Sequence, residues 1–279
     1  MNAPPDRSPA PFPAPAPVRQ RWRLRVAIAA PGGSEVVPGA VEAAVPAAAS
    51  AAVPAAARSW PAILAESGLP IAGEGVGRSR VVPACPLPIG VAGEREVVDL
   101  YLTQRLPAAT VRGAVAAVLP AGLALVDLHD VWVGAPSAPA GVVAADYRVQ
   151  VAGVARWVVE GAILALLGAA TLPRERRREK KVTAYDLRPL ILGLGVRASD
   201  GSGVTLAMRL RHAPEAVGRP EEVVMALGEP LAAPLPGEPR AAPLPLPLVM
   251  VAIVRERIVM ADDVGVATAG PGPVAPAAG

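Results

Sequence analysis

Eight residues between Arg176 and Arg188 have types and a spacing suited to chemistry on a partner. The stretch Arg174–Lys181 reads RERRREKK, six bases and two acids, and leads into Tyr185, Asp186 and Arg188. Arg176, Arg177, Arg178, Lys180 and Lys181 would meet phosphates or an acidic patch. Tyr185 could stack on a base, and Asp186 and Arg188 would support the surface. The same mixture of Arg, Lys and Glu is also what an ordinary solvated hairpin carries.

Other chemistries fail on ligand count. The chain has Cys85, His129 and His212 and no further Cys or His. An iron–sulfur cluster needs several closely spaced cysteines and a structural zinc site about four ligands, so neither can be built from conventional ligands. No glycine is followed by Lys and then Ser or Thr, which removes the ordinary phosphate-binding loop. Gly73, Gly75 and Gly77 follow an expected helix instead of a strand and do not make a dinucleotide fingerprint. His129–Asp130 suggests a metal phosphohydrolase, but the additional histidines are missing, and the pair reads as a polar dipeptide at a strand's edge. Cys85 stands among Pro83, Pro86 and Pro88 with no nearby base, as a buried structural thiol would. Ser202, between Gly201 and Gly203, reads as a turn serine and not a nucleophile elbow. Glu94 and Glu96 are expected on one strand face and Asp99 on the other, a poor start for paired carboxylates. No catalytic, cofactor-binding or metal residue is assigned.

The elements that would position the basic run follow from periodicity. Leu24, Val26 and Ile28 alternate with Arg23 and Arg25, as in a strand. A short helix at Ser59–Ser67 closes at Gly68, strands are expected at Val81–Pro83 and Val97–Leu102, a helix at Ala109–Leu119 and a strand at Leu123–Val133. The order β-α-β-β-α-β is that of a ferredoxin-like split unit. It recurs: a strand at Tyr147–Val151, a helix at about Ala155–Ala169, the basic hairpin, a strand near Thr183–Leu194, and a strand with Leu206, Met208 and Leu210 facing away from Arg209 and Arg211. A helix then starts at Pro220, carries Glu221 and Glu222 at its positive end and stops at Gly228; Leu248–Met260 is a last strand. The fold expected is α/β in the broad sense (α+β), two ferredoxin-like units in tandem.

Composition sets the limits of those units. Of 279 residues 52% are hydrophobic and 18% charged, enough apolar content for one large core or two small ones. Residues 1–17 and 265–279, rich in Pro, Ala and Gly, are expected to be disordered tails. The first unit would span 18–135 with an Ala/Pro-rich insertion at 31–57, and the second 136–264 with a Pro-rich loop at 230–247. The formal net charge is +3 and the basic run alone supplies +4, so the rest of the chain is close to neutral. A nucleic-acid coat protein is excluded; a single concentrated basic site is not. The N-terminus lacks the basic-then-apolar order of a signal peptide, and no charge-free stretch reaches about 18 residues, so a cytoplasmic protein without a membrane span is expected.

Three segments carry a resemblance. ARSWPAILAESGLPIAGEGVGRSRVVPACPLPIGVAGEREVVDLYL (57–102), RRREKKVTAYDLRPLI (176–191) and GRPEEVVMALG (218–228), with RWRLRVAIA at 21–29, resemble the family of radical SAM-linked proteins over about residues 20–260. That family is a domain of unknown function found beside or fused to radical SAM proteins, often near genes for an E/G-type ribonuclease and for ribosomal proteins. The resemblance implies a radical SAM protein as partner and a link to RNA metabolism. The family's Ser-His-Leu-Asp at the first helix is replaced here by the Ala/Pro-rich insertion, and its Gly-Phe-Asn-Pro by Gly75, Val76, Gly77 and Arg78. A site built on those polar residues would be altered in this chain.

The function expected is a non-catalytic accessory of a radical SAM system that binds or presents RNA, using the hairpin and arginines on outward strand faces at 23, 25, 148, 209 and 211. The alternative is a subunit that docks on the radical SAM partner without RNA contact. An independent enzyme would have only carboxylates and arginines to work with.

Overall fold

The computed structural model describes residues 16–29, 60–73, 79–88, 90–178, 181–201, 203–212, 217–231 and 248–264. The tail at 265–279, nearly all of the tail at 1–17, the insertion 31–57, the loop 232–247, Lys180, Gly75, Gly77, Arg78 and Ser202 lie outside the described residues.

Alternation in β1 (Gln20–Ile28) turns Trp22, Leu24, Val26 and Ile28 to one side. There they pack on Trp60 and Leu64 of α1 (Trp60–Ala65) and on Val111 and Val115 of α2 (Ala108–Val118). Gly68 follows α1 at φ +68°, a left-handed conformation that glycine adopts without a Cβ penalty. Strands β2 (Val81–Pro83), β3 (Ala92–Leu102) and β4 (Leu123–Asp130) complete the first half, and β3 adds Val98, Leu100 and Leu102 to the same core. Truncating one of these, Leu24 or Leu100 to Ala, removes about 2–5 kcal/mol, because both are wholly buried.

The second half runs β5 (Val142–Ala152), α4 (Arg156–Gly168), β6 (Pro173–Arg178), β7 (Lys181–Asp186), β8 (Ile191–Asp200), β9 (Gly203–Arg211), α5 (Pro220–Leu231) and β10 (Val249–Met260). Its core joins Tyr147, Val149 and Val151 of β5 and Leu206, Met208 and Leu210 of β9 to Val159, Ile163 and Leu166 of α4 and Val223 and Leu227 of α5. Two single-turn helices, α3 (Ala138–Gly141) and α6 (Ala261–Val264), lie before β5 and after β10.

The chain is α+β, as its periodicities predict. Strands pair in the order β4-β1-β3-β10-β5-β9-β8, with β2 also on β3. In the first half the neighbours β4, β1, β3 and β2 are all antiparallel; in the second, so are β10, β5, β9 and β8. Within each half the fourth strand lies beside the first, then the third, then the second, the order that a split β-α-β arrangement produces. The halves share one sheet, joined where β10 runs parallel to β3 over two register pairs, Val254↔Ala92 and Arg255↔Gly93.

Two sequence expectations need correction. The strand expected near Thr183–Leu194 is two strands in different sheets, β7 and β8, separated by a 3-10 turn at Arg188–Leu190. Pro189 has no N–H for a ladder, and Leu187 and Leu190 are drawn into the core, so the extended chain cannot continue. The helix expected to stop at Gly228 runs on to Leu231. A glycine inside a helix costs only about 1 kcal/mol relative to alanine, which the burial of Val223, Val224 and Leu227 outweighs.

Candidate nucleic-acid interface

Strands β6 and β7 pair antiparallel from Pro173↔Asp186 to Arg178↔Lys181 and form a two-stranded sheet of their own. The base of this hairpin is pinned to α5. Arg174 reaches Glu229 at 2.9 Å, and Arg176 Nη2 donates to Glu222 and to the Val217 carbonyl, each at 3.1 Å. The Arg176 guanidinium also lies 4.8 Å from the centre of the Tyr185 ring. Tyr185 therefore has a cation already on its ring, and burial together with the Glu222 carboxylate pushes its hydroxyl up to about 12.

Asp186 and Arg188 tie the hairpin's exit to the body. Asp186 Oδ1 accepts from the Leu172 N–H at 2.7 Å and the Arg188 N–H at 2.9 Å. Arg188 donates from Nη2 to the Leu167 carbonyl at 3.0 Å, satisfying one of the carbonyls left open at the end of α4. Of the eight residues singled out in the sequence, Arg176, Tyr185, Asp186 and Arg188 are thus occupied in holding the hairpin. Arg177, Arg178 and Lys181 stand at its far end, in the pairs Arg177↔Val182 and Arg178↔Lys181.

The outward strand arginines do not make the open basic face expected. In the first half, Asp99 forms an ion pair with Arg21 Nη2 at 2.6 Å and accepts from Arg23 Nε at 2.8 Å, and the side chains of Arg21 and Asp99 are fully buried. The segment after β4 covers them: Arg21 donates to the carbonyls of Ala135 and Pro136, and the Ala138 N–H donates to Asp99 Oδ2 at 2.7 Å. Arg25 pairs with Asp263 at 3.3 Å. In the second half, Asp146 lies between Arg209 and Arg257, each at 2.7 Å. Arg148 reaches Glu94 at 2.7 Å and Glu256 at 2.9 Å, and Arg197 shares Glu256. Four arginines facing three carboxylates leave a nearly neutral surface there, while Arg211 is exposed and donates to the Pro189 carbonyl at 3.4 Å. Burial alone would raise Asp146; Arg209 and Arg257 outweigh it and hold the carboxyl below its ordinary value.

Glu94 and Glu96 also part company, against the shared face expected. Register slips opposite Val26 and Ile28, so that Glu94 pairs with Arg148 while Glu96 pairs with Arg255 across the seam between the halves. Arg255 Nε lies 2.7 Å from Glu96 Oε1, and Nη1 donates to the Pro86 carbonyl at 3.2 Å. Both side chains are almost wholly buried. Beside them burial pushes the Cys85 thiol up to about 11, so it is an unreactive thiol at neutral pH. The sequence carried no signal for this seam, because Arg255 looks like any outward arginine of a last strand.

Among the described residues no group of three or more His, Cys, Asp or Glu could hold a metal ion. None of their helices is long and apolar enough to cross a membrane. A family model described as "Uncharacterized protein conserved in bacteria (DUF2344)" matches residues 77–220, from β2 into the start of α5 and including the whole hairpin. No curated protein matches the chain.

Proposed function

We propose that this chain, which belongs to that bacterial family of uncharacterized proteins (DUF2344), is a non-catalytic accessory of a radical SAM system in the cytoplasm and contacts RNA through the β6–β7 hairpin. The observation that carries the reading is the hairpin's division of labour. Its proximal arginines are engaged with Glu222 and Glu229, which holds the ribbon in place, while four more bases follow in the sequence at 177–181, with Arg177, Arg178 and Lys181 at the far end of a pairing outside the main sheet. A two-stranded ribbon with cations toward its far end suits a phosphate backbone, whose affinity comes from neutralising several phosphates at once. The radical SAM partner is taken from the resemblance of residues 57–102, 176–191 and 218–228.

The test is RNA retention on filters at physiological salt, using the full chain and a variant with Arg177, Arg178, Lys180 and Lys181 changed to Gln. Binding in the micromolar range or tighter that the variant loses at least about tenfold is expected, since counterion release scales with the number of cations removed. Equal binding by both proteins, or none by the intact chain, would remove the hairpin from RNA recognition.

A second reading, docking on the radical SAM partner without RNA, is favoured by one observation. Trp157 and Leu164, seven residues apart on α4, are 75% and 74% exposed. Large apolar side chains repeated on one helix face are what a protein partner covers. A pull-down that Trp157→Ala abolishes while RNA retention is absent would favour it.

A further inference from the structure

His129 and Asp130, too few for a metal, line a groove of about 390 Å³ on the face of the first half opposite its helices. The groove lies between the end of β4, the segment that follows it, and α6. Arg23 and Met260, both nearly fully buried, form the floor; exposed Trp132 and Asp262 stand at the rim.

Trp132 is the informative residue. It is 78% exposed, whereas Trp22 and Trp60 are 5% and 3% exposed in the core. Leaving an indole in water forgoes the burial that such a ring normally supplies. Yet the ring is seated: it lies over Gly134, where a β-carbon would come within 2.6 Å of two of its atoms. Glycine at 134 is what lets the ring lie against the backbone, and a Trp132–Ala135 hydrogen bond at 3.0 Å closes the turn beneath it.

The polar groups beside the ring are only partly used. Arg25 gives Asp263 one nitrogen, Nη2, at 3.3 Å and has no other acceptor among the described residues. His129 is exposed at the groove's edge; partial desolvation first and Arg25 next hold it below its ordinary value, so its neutral ring can donate from one nitrogen and accept on the other. Asp262 is 77% exposed and at 4.0 Å from Arg23 is barely engaged.

We propose that this groove binds a purine base, stacked on Trp132 and read along its edge by Arg25, His129 and Asp262. The volume falls in the range of about 300–1,000 Å³ usual for small-ligand sites. A guanidinium matches the O6 and N7 acceptors of guanine, and a carboxylate accepts from its ring N–H and amino group, so guanine fits the donor and acceptor set better than uracil or cytosine. The carboxylates of Asp130, Asp262 and Asp263 disfavour phosphate inside the groove, which leaves the base as the part held. The base can belong to a free nucleoside or to an unpaired position in an RNA strand. Only that second origin rests on the RNA reading above.

The experiment is calorimetric titration of the full chain with guanosine, adenosine and uridine and with a short unstructured G-containing RNA. It is repeated on Trp132→Ala, on Gly134→Ala and on the hairpin variant. Saturable guanosine binding that weakens about tenfold or more in Trp132→Ala, falls in Gly134→Ala and persists in the hairpin variant is expected, as loss of one stacked base predicts. Trp132-dependent binding of the RNA without binding of nucleosides also supports the groove and assigns the base to a strand. Absence of saturable binding by nucleosides and RNA alike, or binding that Trp132→Ala leaves unchanged, overturns the proposal. RNA binding lost only in the hairpin variant overturns it too, and leaves the hairpin reading standing.

Discussion

The two halves of the sheet share a strand order and differ in what becomes of their charged face. In the first, the segment after β4 folds over the strands and seals Asp99 with Arg21 and Arg23; in the second, Asp146 keeps its two arginines at an exposure of 33–41%. Removing one member of a sealed pair strands a charge in low dielectric, whereas a half-exposed pair is screened by water and loses little. The same residue types on the same kind of strand are therefore an internal support in one half and a surface in the other.

Asp99→Ala tests the contrast most strongly. It is expected to cost about 3–5 kcal/mol in urea denaturation, because two buried guanidiniums lose the buried carboxylate they share. A loss below about 1 kcal/mol would show that the first half's charges are not sealed. At the seam, Arg255→Met should cost a similar amount by leaving Glu96 buried and alone, while the double variant Arg255→Met with Glu96→Leu should recover most of it. Recovery read as a denaturation midpoint near that of the parent would identify the seam as a desolvated ion pair; no recovery would mean that the bond to the Pro86 carbonyl dominates.

Asp146→Asn is expected to cost about 1 kcal/mol or less. Its carboxyl is held below the ordinary value, so its contribution is present above the unfolded value near 4 and is lost as pH falls through the folded one. The difference between parent and variant should accordingly vanish at strongly acid pH. The smallest effect concerns the histidines, one in each half. Burial lowers both His129 and His212, so the unfolded chain takes up their protons first. Stability is expected to fall as pH drops through about 6.5, and His129→Gln and His212→Gln should each flatten that slope by a degree or two in Tm. If only His212→Gln flattens it, the groove around His129 is more open to water than the residues lining it suggest.

Much of the scaffold is legible in the sequence. Alternation in residues 23–28 and 206–211 specifies strands because one side must be apolar, and Pro220 with Glu221 and Glu222 specifies a helix start because unpaired N–H groups there favour both. The hairpin was legible from its charge run. Its internal economy was not: Tyr185 was expected to be free for stacking, and Arg176 is on it. Arg23 and Arg25 were expected on an open face, and periodicity cannot say whether a later segment will cover it.

The sequence by itself determined the α+β class, the order of the elements outside 183–194 and the concentration of positive charge at 174–181, since these depend on neighbours within a few residues. Only the tertiary structure decided which charges are spent. Arg23 finds Asp99 across 76 residues of chain and Arg255 finds Glu96 across 159. Such pairings follow from strand order and register, so a local pattern of alternating arginines reads the same whether its partner lies opposite or the solvent does.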